Sequence, residues 1–253
     1  VSAPALLIVP GFNEPDSDMR TLADGRRDLP GLSARGIDCI VFPTVTDPLF
    51  ERIDRFAAYL SELRAEGRVS FPIATLGFSL GGLVVRGFLR KYPERSDEIA
   101  QTLQLGTPNW GITVDMLPML TSFMHLSDKA TKDLDLESDF MKWLNGTGGH
   151  WEKTGKDRNW KLDREPWIAP PGARLHSIYG AVPRFGGDND GIVWKDSATL
   201  DGRIPSHELK SPRANHLNLI GAWNLGTVLI KGFLFDDKVW PRSVDAVAHY
   251  LKA

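Results

Sequence analysis

An apolar run that opens at Pro72 ends on Thr75-Leu76-Gly77-Phe78-Ser79-Leu80-Gly81-Gly82 and passes directly into a helix-like segment, Leu83 to Lys91. Strand, sharp turn and helix in that order admit few folds. The serine stands in mid-turn, and the glycines two places before and after it let strand and helix approach without a Cβ clash. This arrangement turns the serine hydroxyl outward. It also sets the Leu80 amide at a helix N-terminus, facing the place where an oxyanion forms during attack on an ester carbonyl. The alternative is a Gly-Ser turn without chemistry. A phosphate-cradling loop fits poorly, because no Gly-Lys-Ser/Thr follows the turn and the glycine spacing does not match a dinucleotide fingerprint.

Strand-length apolar runs alternate with helical patterns along most of the chain. Ala5 to Val9 is a continuous apolar run closed by the turn Pro10-Gly11-Phe12-Asn13. Asp16 to Arg35 carries weak helical spacing, and Ile37 to Phe42 reads as a second strand. Leu49 to Leu63 places Phe50, Ile53, Phe56, Leu60 and Leu63 at three- and four-residue intervals, an amphipathic helix closed by Gly67 and followed by the serine strand, Phe71 to Leu76. Ile99 to Leu105, Arg174 to Gly180 and the short Arg203 to His207 read as further strands, and Ser243 to Leu251 as a final helix. The alternation predicts an α/β fold with a mostly parallel sheet covered on both faces.

A chain of 253 residues suits one globular domain. Its formal charge of −2, without a block of like charges, gives no electrostatic case for nucleic acid or an anionic membrane, so a neutral or apolar small molecule is the expected partner. Cys39 is the only cysteine, which excludes an internal disulfide and a cysteine-based metal site. No basic segment precedes Ala5 to Val9, which is too short for a signal core or a membrane span. The expectation is a cytoplasmic protein, or a secreted one whose leader has been removed.

Gly77-Phe78-Ser79-Leu80-Gly81-Gly82 resembles the nucleophile motif of α/β-hydrolases, in the lipase and carboxylesterase branch. Gly106-Thr107-Pro108-Asn109-Trp110-Gly111 is similar to the Gly-Thr-Pro-His-x-Gly signature of lipases, with Asn109 in place of the usual histidine. Asn109 is read as loop-shaping and Trp110 as a wall of the substrate site. The resemblance implies an α/β-hydrolase fold with a helical cap and a Ser-His-Asp triad. Ser79 would be the nucleophile, and the amides of Leu80 and Phe12 the oxyanion hole, although Pro10 stands where histidine is usual. Within Gly186 to Val193 the family pattern Asp-Gly-x-Val maps the acid onto Asp190, with Asp188 and Asp196 as rivals. An EF-hand reading of this loop lacks the terminal glutamate. His216, in Ala214-Asn215-His216-Leu217, would be the base, with His207 as rival. His125, His150, His176 and His249 are assigned to surface or packing.

Residues 112–167 break the alternation and are read as a cap or lid insertion, with Gly146 to Arg164 as loop. Asp133-Leu134, Ser138-Asp139-Phe140 and Trp143-Leu144-Asn145 resemble lipase cap regions. Met116, Met119, Leu120 and Phe123 would line an acyl pocket, unless these apolar residues are plain helix-packing core. The implied activity is that of a carboxylesterase or lipase working through an acyl-enzyme, with no metal and no cofactor. An amidase or thioesterase on the same triad, and a non-catalytic ligand-binding homologue, are the alternatives.

Overall fold

The computed structural model describes residues 5–11, 16–26, 29–43, 46–112, 132–146, 149–154, 157–162, 166–182, 189–211, 214, 216, 219 and 239–252. Strand β1 (Ala5–Val9) is followed by α1 (Asp16–Asp24), the short antiparallel pair β2 (Gly25–Arg26) and β3 (Leu29–Pro30), and β4 (Asp38–Val41). Helix α2 (Leu49–Ala65) leads into β5 (Ile73–Phe78), α3 (Leu80–Lys91) and β6 (Ile99–Leu105). Helix α4 (Asp139–Asn145) precedes the pair β7 (Gly149–Thr154) and β8 (Asp157–Leu162). The chain then runs through β9 (Leu175–Ala181), α5 (Lys195–Thr199), β10 (Ser206–Lys210) and α6 (Val239–Lys252).

Six of these strands form one parallel sheet in the order β10-β9-β6-β5-β1-β4. Period-two alternation sends Leu7 and Val9 of β1 into one apolar layer and Leu6 and Ile8 into the other. Both faces are buried, which is why β1 had to be apolar without interruption. Helices α2 and α3 cover the first face through residues such as Ile53, Phe56, Val84 and Phe88. Helices α1 and α6 cover the second through Met19, Leu22, Trp240, Val244 and Val247.

The strand order also fixes where chemistry can sit. From β1 the chain moves outward to β4, then returns past β1 to place β5 on its other side. The reversal opens a crevice beyond the carboxyl ends of β1 and β5, the usual binding position in an open α/β sheet. In the register Val9 lies beside Gly77, and Phe78 beside Leu105, so three strands end together at that crevice.

Several expectations are corrected. Asp16 to Arg35 is not one helical unit: α1 stops at Asp24, Gly25 takes φ +92°, and the Leu32 amide returns to bond the Leu22 carbonyl at 3.1 Å. The last sheet strand starts at Ser206 rather than Arg203 and runs to Lys210. The stretch Gly146 to Arg164 contains the antiparallel pair β7–β8, with Trp151 opposite Trp160 in the register. Within 112–167, Leu134, Leu136, Phe140, Met141 and Leu144 belong to the core layer shared with α2 and α3. Phe50 of α2 meets Phe140 and Trp143 at ring centroid distances of 5.2 and 5.0 Å. Among the described residues, no helix is long and apolar enough to cross a membrane.

Candidate active site

Ser79 joins β5 to α3 with φ 50° and ψ −123°, a region costly for a residue with a Cβ, of order 1–3 kcal/mol. The surroundings hold it there. A methyl group on Gly77 would strike the backbone of Gly82, and one on Gly81 would strike the Val9 carbonyl, so strand and helix meet only because these positions are glycine. The Ser79 amide donates to the Leu105 carbonyl at 2.8 Å, tying the turn to β6. Although Ser79 occupies the N-cap position of α3, its side chain makes no capping hydrogen bond. Leu80 is the first residue of that helix, where amides have no intrahelical acceptor.

Asp190 and His216 meet beside this turn. Asp190 Oδ1 accepts from the amides of Ile192 at 3.0 Å and Val193 at 2.7 Å, which fixes the carboxylate. Its Oδ2 lies 2.7 Å from His216 Nδ1, and the His216 amide donates to the Asp190 carbonyl at 3.0 Å. A carboxylate accepts only, so the proton between them sits on Nδ1, which leaves Nε2 as the ring nitrogen turned away from Asp190. The imidazole packs against Phe78, centroids 5.0 Å apart, and against Gly106, where an added Cβ would lie 3.0 Å from Nδ1 and Cε1. Thus the ring stands over the ends of β5 and β6, next to the residue that precedes Ser79. Exposure is 1 % for Asp190, 2 % for His216 and 8 % for Ser79. His216 Nε2 is buried and makes no hydrogen bond among the described residues, Ser79 Oγ included.

The other expected residues divide. Phe12, Met116, Met119, Leu120, Phe123, Asp188 and His125 lie outside the described residues, as does the side chain of His150. Trp110 is 3 % exposed and sits in the packed core, its amide donating to Ser197 Oγ at 3.0 Å. Asp196 lies in the first turn of α5. His207 is placed on β10 against Tyr250 of α6, in company with His176 and His249. Among the described residues no group of three His, Cys, Asp or Glu side chains is placed to hold a metal ion. Burial, with Asp24 and Asp38 nearby, pushes the Cys39 thiol up to about 12, so it stays protonated.

Two buried arginines went unread in the sequence. Arg52 of α2 is 2 % exposed and donates from Nη1 to the Gly11 carbonyl at 3.2 Å, just past the end of β1; burial lowers its pKa to about 10. Arg86 of α3 is completely buried, and burial, with Arg90 adding, lowers its pKa to about 9. A lone charge inside an apolar helical run, as in Leu83-Val84-Val85-Arg86-Gly87-Phe88-Leu89, was the available signal.

The backbone resembles those of solved hydrolases. The mature form of the Bacillus licheniformis lipase BlEst2 superposes with a TM-score of 0.62 at 15 % identity, over 91 % of each chain. A metagenomic carboxyl esterase superposes with a TM-score of 0.64 at 16 % identity, over 100 % of this chain and 76 % of the other. The NocB thioesterase domain, in covalent complex with a fluorophosphonate nocardicin G analogue, gives 0.52 at 14 % identity, over 98 % of this chain and 94 % of the other. No family model matches the sequence. No curated protein matches it either.

Proposed function

We propose that this chain, which has an α/β-hydrolase fold, is a serine hydrolase that cleaves carboxylic esters through an acyl-enzyme, with Ser79, His216 and Asp190 as its triad. One observation carries the proposal. A buried Asp190–His216 pair at 2.7 Å stands at the strand end where Ser79 is held at positive φ. The order along the chain, serine then acid then histidine, is that of α/β-hydrolases.

In this mechanism Nε2 of His216 takes the proton from Ser79 Oγ as the oxygen attacks the carbonyl carbon. Asp190 holds Nδ1–H and stabilises the imidazolium that forms. The tetrahedral oxyanion is held by the Leu80 amide, with the Phe12 amide as second donor; losing one such donor typically costs about 10²- to 10³-fold in rate. The imidazolium returns its proton to the leaving alcohol, and water, activated by the same nitrogen, releases the acid. No metal or cofactor enters any step. An insertion at about 112–167 acting as a cap, with Met116, Met119, Leu120 and Phe123 along an apolar acyl pocket, is part of the proposal.

The likeness to a thioesterase supports a second reading, in which the same groups attack a thioester. Ser79→Ala tests both. Hydrolysis of p-nitrophenyl and thiol esters is expected to disappear while the circular dichroism spectrum is retained, and the better wild-type substrate separates ester from thioester. Retained turnover in Ser79→Ala would refute the proposal.

A further inference from the structure

Asn109, in the loop after β6, is fully buried and its carboxamide makes all four hydrogen bonds available to it. Nδ2 donates to Gln104 Oε1 at 2.8 Å and to the Ala198 carbonyl at 2.9 Å. Oδ1 accepts from Arg86 Nη1 at 3.0 Å and from Gln104 Nε2 at 3.2 Å. Arg86 spreads its five donor hydrogens over Asn109 Oδ1 and O, Asn145 Oδ1 and the carbonyls of Trp167 and Ile168, at 2.6 to 3.5 Å. Asn145 Nδ2 closes the circuit on the Asn109 carbonyl at 2.8 Å. Each acceptor is a neutral oxygen.

This network joins the elements that carry the three site residues. Arg86 belongs to α3, which starts beside Ser79. Asn109 belongs to the loop that leaves β6 through Gly106, the residue backing the His216 imidazole. Ala198 belongs to α5, which continues the chain from the Asp190 loop. A second stitch lies alongside: Ser197 Oγ accepts from the Trp110 amide at 3.0 Å and donates to the Gly111 carbonyl at 3.3 Å. A polar network buried with every member satisfied has one well-defined arrangement, because leaving any group unpaired costs about 1–3 kcal/mol.

We propose that Asn109, braced by Arg86, is a positioning residue that sets the Asp190–His216 pair against the Ser79 turn, a role that rests on the hydrolase reading above. Asn109 touches neither the histidine nor the serine in this scheme; it acts through the loop and through α5. Asn109→Asp keeps the shape and the acceptor facing Arg86 but removes the two donors to Gln104 and Ala198.

The test compares wild type with Asn109→Asp, counting reactive sites with a fluorophosphonate and following the low-field proton resonance of His216 Nδ1–H by NMR. Per titrated site, kcat is expected to fall about ten- to a hundredfold with KM within about twofold, because misplacement of the reacting groups weakens the transition state rather than binding. The low-field resonance is expected to shift or broaden. A lower melting temperature with kcat per site and the resonance both unchanged would make Asn109 merely structural and overturn the proposal. The resonance is read without substrate, so it judges positioning even if Ser79→Ala kept its activity and the ester hydrolase reading were lost. If Asn109→Asp does not fold, Ser197→Ala is read the same way, with a smaller change in the same direction expected and no change overturning the proposal.

Discussion

Asp190 and His216 are joined twice, by Oδ2 and Nδ1 at 2.7 Å between the side chains and by the His216 amide and the Asp190 carbonyl at 3.0 Å between the main chains. The main-chain bond holds the His216 backbone beside Asp190 whatever the side chain at position 190 does, and Phe78 and Gly106 back the ring. The side-chain bond alone decides which ring nitrogen carries the proton.

Asp190→Asn therefore separates position from protonation. The amide has nearly the same shape, and the bond from the His216 amide survives, so the melting temperature is expected to stay within a few degrees. The asparagine NH₂ facing Nδ1 favours the other tautomer, which puts the proton on Nε2. By analogy with the same change in a serine protease, kcat for a p-nitrophenyl ester is expected to fall by about 10⁴. Steady-state kinetics beside a thermal melt check this.

Gly81→Ala addresses the turn itself. Its new methyl group would collide with the Val9 carbonyl, backbone that cannot move aside without shifting β1. Overpacking of this kind typically costs about 1–3 kcal/mol. A denaturant titration is expected to show that loss together with loss of hydrolysis, whereas Gly36→Ala, at a surface position where the added Cβ meets nothing within 4 Å and only the φ of +76° is strained, is expected to lower stability but leave hydrolysis intact.

Arg52→Met keeps the apolar stem but leaves the Gly11 carbonyl without its buried donor. An unsatisfied buried acceptor costs about 1–3 kcal/mol, and here it lies in the turn proposed to hold the second oxyanion donor. A lower urea midpoint and a lower kcat at nearly constant KM are expected.

Acid sensitivity is expected from the far side of the sheet. His176, His207 and His249 surround Tyr250, with ring centroids 3.6, 5.9 and 5.0 Å from it. Burial, then His207 and His249, hold His176 below the ordinary histidine range; burial, then Arg242 and His249, do the same for His207. Well above about 6.5 the His176 and His207 rings are neutral in both folded and unfolded chains and contribute no pH dependence. As pH falls through that value the unfolded chain binds protons first, so stability declines until the folded rings titrate as well. Urea midpoints are expected to drop between pH 7 and pH 5, and the drop to shrink in the His176→Gln, His207→Gln double variant.

What could be read from the sequence was local. Ser79 is bracketed by glycines that permit a tight strand-to-helix turn, and β1 is an apolar run with a clear end, so the α/β layering followed from the spacing. The pair β7–β8 escaped because its residues are mostly polar and charged, without the apolar alternation that marks a half-buried strand. The polar network escaped for a different reason. Asn109 bonds Ala198 across 89 positions and Arg86 bonds Trp167 across 81, separations at which spacing carries no signal. Asn109 and Trp110 stand side by side in the loop after β6, and both are buried where it meets α5.

The most direct measurement is covalent labelling. The wild-type protein is treated with a fluorophosphonate, digested and mapped by mass, with Asp190→Asn and His216→Ala alongside. One phosphonyl group is expected on Ser79 in the wild type, with much slower labelling in both variants. Labelling at another residue, or equal rates in all three proteins, would contradict a hydroxyl at position 79 activated by the Asp190–His216 pair.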